Sequence, residues 1–259
     1  MSVQAIEHTA RERGVVVRTV PQEAPVELRF NGTAYATMMV TPDDLVNFAR
    51  GFTFSEAIAT DPQAIKDIEV RPEAGGFIVD VQLHGSDYAA LLREGQRLIP
   101  GRTGCGLCGV RTLDDARANL PQAPAGLALE GAALTRALDT MRCDYGMHGA
   151  AFCDAQGHIK LMWQDVGRHN ALDKLIGALV GADTTDLADG FCLITSRCSY
   201  EMVLKAVRGG FSTLVAISSP TGLALDTARE AGLRVVALAG KKGHTVFVEP
   251  SLEQPDIAV

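Results

Sequence analysis

Apolar and polar residues alternate along the first third of the chain. Val26, Leu28 and Phe30 share one face of an extended segment, and Asn31-Gly32 follows, the pair that best tolerates the positive φ angles of a two-residue hairpin. Residues 15–40 therefore read as a small antiparallel meander. Thr41-Pro42-Asp43-Asp44 then supplies a side-chain cap, a proline for the first helical position and acids for the first turn, and Leu45, Phe48, Ala49 and Phe52 recur behind it on one face. The spacing predicts a helix. Alternation resumes at Phe77, Val79, Val81 and Leu83, after the turn residues Ala74-Gly75-Gly76, and completes an α+β first lobe.

From Leu98 to Val110 both patterns lapse into IPGRTGCGLCGV, too rich in glycine for a helix and without the alternation of a strand, which reads as a mobile loop. Leu134, Leu138 and Met141 then mark a helix of about three turns. MHGAAFCD and HIKLMWQDV follow as strands joined by the turn Ala155-Gln156-Gly157, and Leu172, Leu175, Ile176 and Leu179 line a helix ended by Gly181. GFCLIT is a nearly all-apolar strand of the kind buried on both faces; Met202, Val203, Ala206 and Val207 mark the next helix, closed by Gly209-Gly210. STLVAIS repeats the strand, Thr221 caps a helix that runs to Ala231 and stops at Gly232, and LRVVAL and HTVFVE close the series. Such alternation implies an α/β lobe with right-handed crossovers and a mostly parallel sheet covered on both faces. The expected division is 1–125 for the α+β lobe, ending beyond the Gly-rich loop at the linker-like PQAPAG, and 126–259 for the α/β lobe.

Composition narrows the function. With 47% hydrophobic and 21% charged residues, the 259-residue chain can bury one large core or two unequal ones. Its formal net charge of -7 argues against nucleic acid or an acidic membrane as partner, because both demand a surplus of cations. An anionic ligand would need a local basic site. MSVQAIEHTARERG mixes charges and lacks the apolar core of a signal peptide, and no apolar run reaches membrane-spanning length, so a cytoplasmic protein is expected. A reducing compartment keeps six dispersed cysteines as thiols.

Cys105-Gly106-Leu107-Cys108 is the sharpest local signal. A cysteine is nucleophilic as thiolate, which Arg102, Arg111 and exposed glycine-rich amides would stabilise, and the glycines at 101, 104, 106 and 109 would let a thiol swing between partners. Half of a zinc site, a thioredoxin-like dithiol and a structural pair are the competing readings. Zinc lacks a second pair at suitable spacing, the dithiol lacks a helix start, and structural cysteines would prefer apolar neighbours. No metal is expected.

QDVGRHNALDKLIG is the second constellation. Asp165, Gly167, Arg168, His169 and Asn170 lie between the end of a strand and the first turn of a helix, where free amides favour an anion; a helix-capping network is the alternative. Thr195-Ser196-Arg197-Cys198-Ser199 and Ser218-Ser219-Pro220-Thr221 occupy the same position in the next two units, so all three would gather at the carboxyl edge of one sheet, where ligands bind. His148-Gly149 opens the lobe's first strand with little bulk, and Ala239-Gly240-Lys241-Lys242-Gly243-His244 sets two cations in a turn that suits a pyrophosphate or a plain solvated hairpin.

TGCGLCG, MHGAA, DVGRHNALDK, TSRCSYEMVLKA and SSPTGLALDTA, in this order, resemble the formate dehydrogenase accessory sulfurtransferase family over nearly the whole chain. The resemblance implies a cytidine-deaminase-like three-layer sandwich for the second lobe. It also implies sulfur transfer from a cysteine desulfurase to the bis(molybdopterin guanine dinucleotide) molybdenum cofactor, which formate dehydrogenase then receives. Cys105 matches the persulfide-bearing cysteine and Cys108 its partner, and Leu238 to Gly243 (Leu238, Ala239, Gly240, Lys241, Lys242, Gly243) match the cofactor-binding segment, here less arginine-rich. The resemblance further implies a homodimer and guanosine diphosphate as a fragment ligand. His148, Asp165, Arg168, His169, Ser196, Arg197 and Ser219 would line the pocket that the Cys105 thiol must approach, so the loop from Gly101 to Gly109 should be poorly ordered or lie across it. Deaminase chemistry is not implied, since no glutamate stands two residues after His148 and the CxxC lies upstream.

Overall fold

A computed structural model of the chain describes residues 1–8, 13–94, 120–126, 129–182, 187, 189–240 and 243–250. In the first lobe β3 (Ala24–Phe30) and β4 (Thr33–Val40) form the expected hairpin, with Asn31 at φ 48° and Gly32 at φ 80°. The meander stops there. β2 (Arg13–Thr19) pairs instead with β1 (Ser2–His8) in a separate antiparallel ribbon, while β3 accepts β6 (Gly76–Leu83) as a parallel neighbour and β5 (Ile65–Glu73) closes the sheet in the order β4-β3-β6-β5. Val26, Leu28, Val79 and Val81 are buried beneath α1 (Leu45–Ser55), whose Leu45, Phe48, Ala49 and Phe52 fill the same core. Each such side chain contributes about 1.5–3 kcal/mol by leaving water. α2 (Gly85–Glu94) follows β6.

The start of α1 differs from expectation. Asp44, in the left-handed region at φ 47°, is the residue before the helix, and it makes no side-chain cap; Thr41 and Asp43 are drawn away to the second lobe. Tertiary partners outcompete the local cap.

The second lobe is built on a six-stranded sheet in the order β12-β11-β10-β9-β7-β8. Its strands are β7 (His148–Asp154), β8 (Ile159–Asp165), β9 (Gly190–Ile194), β10 (Thr213–Ala216), β11 (Arg234–Gly240) and β12 (Gly243–Val248). Only the β9–β10 and β10–β11 pairings are parallel; β7 runs against both its neighbours and β12 against β11, so the sheet is mixed rather than mostly parallel. The short β7–β8 and β11–β12 turns are hairpins, which cannot make parallel pairs. One face is covered by α3 (Gly131–Thr140) through Leu134 and Ala137. The other is covered by α4 (Arg168–Gly181), α5 (Tyr200–Arg208) and α6 (Gly222–Ala231). α6 is punctuated as its sequence predicts: Thr221 accepts from Ala224 N, and Gly232 ends the helix at φ 67°. α4 runs through Gly181 and ends at Ala182.

The lobes meet through α1 and α4. A Cβ on Gly51 would run into the Asp173 carbonyl, and one on Gly177 into the Asn47 carbonyl, so the two glycines let the helix backbones touch. Buried charge flanks this seam. Lys205 on α5 contacts Asp173 at 2.9 Å, Ser55 Oγ at 2.7 Å and Glu56 at 2.9 Å, with its ammonium 5.4 Å from the centre of the Phe52 ring. Asp173 and Glu56 outweigh burial and hold Lys205 above its ordinary range, whereas burial pushes Asp173 up to about 6 against the pull of Lys205.

Candidate functional site at the carboxyl edge of the sheet

β8 points the same way as β9, β10 and β11, so their carboxyl ends share an edge with the first residue of the opposed β7. His148 pairs with Asp165 there. Beyond the strands the backbone stays stitched: Thr195 N donates to Gly149 O (3.0 Å), Cys198 N to Ser219 O (3.2 Å), Thr221 N to Cys198 O (3.0 Å) and Leu238 N to Ser218 O (3.2 Å). Thr195 Oγ1 accepts from Gly149 N at 2.9 Å. The edge thus carries, in order, Asp165, His148, Ser196-Arg197, Ser219 and Leu238-Ala239-Gly240, over four strand spacings or about 19 Å. Gly243, paired with Gly240, closes the row.

Three helices begin on this edge. α4 starts behind Gly167 and α5 behind Ser199, neither with a side-chain cap. Arg168 and His169 lie in that first turn of α4. His169 is only 4% exposed and its Nε2 has no hydrogen-bond partner; Arg168 Nε and Ser199 Oγ are buried and equally unpartnered. Burial, then Lys205, Arg168 and His148, pull His169 down to about 3, and it is neutral at physiological pH. Burial and Arg168 likewise lower half-buried His148, opposed by Asp165.

Asp165 differs from the others. It is fully buried, and its carboxylate accepts from Gly167 N (2.8 Å), Asn170 Nδ2 (2.9 Å) and Thr41 N (3.0 Å) and pairs with Lys174 Nζ at 2.9 Å. Asn170 also donates to Met39 O at 2.9 Å. Sequence reasoning missed Thr41, which resembled a cap, and Lys174, although a lysine within the apolar run of ALDKLIGALV was a signal that it is buried and paired.

Ser196 is buried and donates to Arg197 O at 3.1 Å, while Arg197 and Ser219 are exposed. Leu238 stands 51% exposed at φ 53°, where β11 slips register against β12. A bulky residue in that region costs about 1–3 kcal/mol, which the neighbouring pairings must offset. Ala239 is buried and Gly240 exposed. Cys105 and Cys108, the loop around them with Arg102 and Arg111, and Lys241 and Lys242 lie outside the described residues. The remaining four cysteines have thiols raised by burial, Cys153 and Cys198 to about 12, with Cys192 well above its ordinary value and Cys143 raised also by Asp144. Among the described residues no group of three His, Cys, Asp or Glu could hold a metal ion, and no helix is long and apolar enough to cross a membrane.

The model of the FdhD/NarQ family matches residues 21–252. A protein of Burkholderia cenocepacia named sulfur carrier protein FdhD is 44% identical over 257 residues, covering 92% of this chain and 91% of its own. One of the same name from Xanthomonas campestris pv. campestris is 38% identical over 259 residues, covering 97% and 92%. A crystal structure described as a candidate formate dehydrogenase accessory protein from Desulfotalea psychrophila superposes with a TM-score of 0.72 at 22% identity, covering 96% of this chain and 97% of that one, and is alike in fold.

Proposed function

The chain belongs to the FdhD/NarQ family, and from that premise we propose that it is a sulfur carrier in the maturation of formate dehydrogenase. Its relatives' name supports sulfur carriage, and the carboxyl edge supports an anionic nucleotide-bearing substrate. The observation that carries this is the convergence of uncapped helix starts with the buried, unpartnered His169 Nε2 and Arg168 Nε on one edge. The substrate is the bis(molybdopterin guanine dinucleotide) molybdenum cofactor, and guanosine diphosphate is its fragment ligand. Counted from β7, the strand order 2-1-3-4-5-6, with the first running against the second to fifth, supports kinship with the cytidine-deaminase-like three-layer fold.

Cys105 thiolate attacks the terminal sulfur of a desulfurase persulfide, so that a new S–S bond forms on Cys105 and the desulfurase cysteine leaves as thiolate. Cys108 thiolate then attacks the inner sulfur, breaking the persulfide bond so that the terminal sulfur leaves as hydrosulfide for uptake by the cofactor, and the Cys105–Cys108 disulfide that forms must be reduced before the next cycle. The raised thiols of Cys143, Cys153, Cys192 and Cys198 support the assignment to the remaining pair. Work in the cytoplasm as a homodimer, in two lobes divided near residue 125, completes the proposal. The test is mass spectrometry after incubation with a cysteine desulfurase and cysteine. A mass gain of one sulfur on Cys105, removed by reductant, is expected; nucleotide binding without any sulfur loading would favour a chaperone that only ferries the cofactor.

A further inference from the structure

Asp165 stands at the ligand edge, yet its acceptors are occupied. Thr41 N, Gly167 N, Asn170 Nδ2 and Lys174 Nζ take the roughly four lone-pair directions of a carboxylate, leaving none for a ligand. Two of those donors belong to the first turn of α4 and the residue before it, and a third comes from the first lobe. The same Thr41 accepts, through Oγ1, from Val166 N at 3.1 Å. Lys174, fully buried, completes the clamp by donating to Thr41 O at 3.0 Å and pairing with Asp43. We propose that Asp165 and Thr41 together are positioning residues, through which residues 39–43 of the first lobe fix the Val166-Gly167 turn and so aim the helix start that carries Arg168 and His169. This rests on the reading that an anionic nucleotide group binds at that start. Binding there and the seating of the first lobe are then linked, each favouring the other.

Thr41 gives the cleanest test, because it is buried beneath the turn and removed from the ligand edge by Asp165. Thr41→Val keeps the shape and deletes the acceptor for Val166 N; Thr41→Ser restores it. Guanosine diphosphate affinity is measured by calorimetry at a temperature where every variant is fully folded. Thr41→Val is expected to bind about five-fold more weakly, the worth of one such hydrogen bond, and Thr41→Ser within about two-fold of the parent. Asp165→Asn should lose more, if it folds. A residue that merely adds stability would lower the melting temperature and leave the affinity of the folded protein alone, and that result for Thr41→Val overturns the proposal. Amide hydrogen exchange at Val166 and Gly167 separates the two readings: acceleration in Thr41→Val but not Thr41→Ser supports positioning even if the parent fails to bind the nucleotide, and unchanged exchange sinks it.

Discussion

Gly177→Ala tests how tightly the lobes are joined. In an isolated helix this substitution would stabilise by about 1 kcal/mol through propensity. Here the new Cβ would meet the Asn47 carbonyl and lie 2.8 Å from Gly51 N, both backbone atoms that cannot swing aside. Ordinary contact needs roughly 3.5 Å, so α1 must retreat from α4 and drag on the cores either side of it. Overpacking of this kind costs typically about 1–3 kcal/mol, and the affected atoms are backbone, which argues for the upper end. The net expectation is a loss of about 1–2 kcal/mol, read as a lower midpoint in urea unfolding followed by circular dichroism. Gly181→Ala is the control, because its Cβ would meet only the guanidinium end of Arg50, and it should stay within about 0.5 kcal/mol of the parent. A Gly177→Ala protein more stable than the parent would refute the close-seam argument. Two separate transitions in the parent would instead show that the seam does not bind the lobes into one unfolding unit.

Cys105→Ala should abolish formate dehydrogenase maturation in a complementation assay, and Cys108→Ala should be milder; equal loss of folding stability in both with normal sulfur loading would return them to a structural role. Guanosine diphosphate affinity should fall with salt and drop about ten-fold in Arg168→Ala, and a site elsewhere is indicated if neither that change nor a double Lys241, Lys242→Ala change weakens it. His169, with its folded value lowered to about 3 from 6.5, binds its proton more readily when unfolded, so its contribution to stability is full above pH 6.5 and is lost as pH falls towards 3. His169→Gln should therefore gain on the parent by up to about 1.4 kcal/mol per pH unit between pH 6 and 4.5, and a constant gap across that range would contradict a buried neutral imidazole.

Periodicity made the second lobe legible because most of its elements bury whole faces: the alternation of HIKLMWQDV, GFCLIT and STLVAIS with helical stretches placed three strand-to-helix junctions on one edge, and the structure puts them there. What periodicity does not encode is strand direction. Only the shortness of the β7–β8 and β11–β12 connections marks those pairs as antiparallel, and reading them as part of a mostly parallel series produced the wrong sheet type. β1 and α2 escaped notice for a different reason: SVQAIEH is largely exposed, and GSDYAALLRE packs only Tyr88 and Leu91, partly buried, against the core. The same limit hid Thr41. A threonine before Pro-Asp-Asp satisfies every local rule for a cap, and only the approach of Val166 and Asp165 from more than a hundred residues away takes it elsewhere.

The burial of the other thiols matters for a carrier of sulfur. A persulfide passes its terminal sulfur to whichever thiolate can reach it, and the rate follows the thiolate fraction. With Cys153 and Cys198 raised to about 12 and Cys192 well above its ordinary value, these thiols hold very little thiolate near neutral pH. Cys153 and Cys192 are also sealed in the sheet, on strands whose neighbours cover both faces. Two described thiols lie near the edge: Cys198, buried between Arg197 and Ser199, and Cys143, packed where a Cβ on Gly149 would stand and raised by burial and by Asp144. On the proposed reading, sulfur delivered to the edge would meet Arg168 and a neutral imidazole rather than a competing thiolate, which would keep the transfer directed at the substrate.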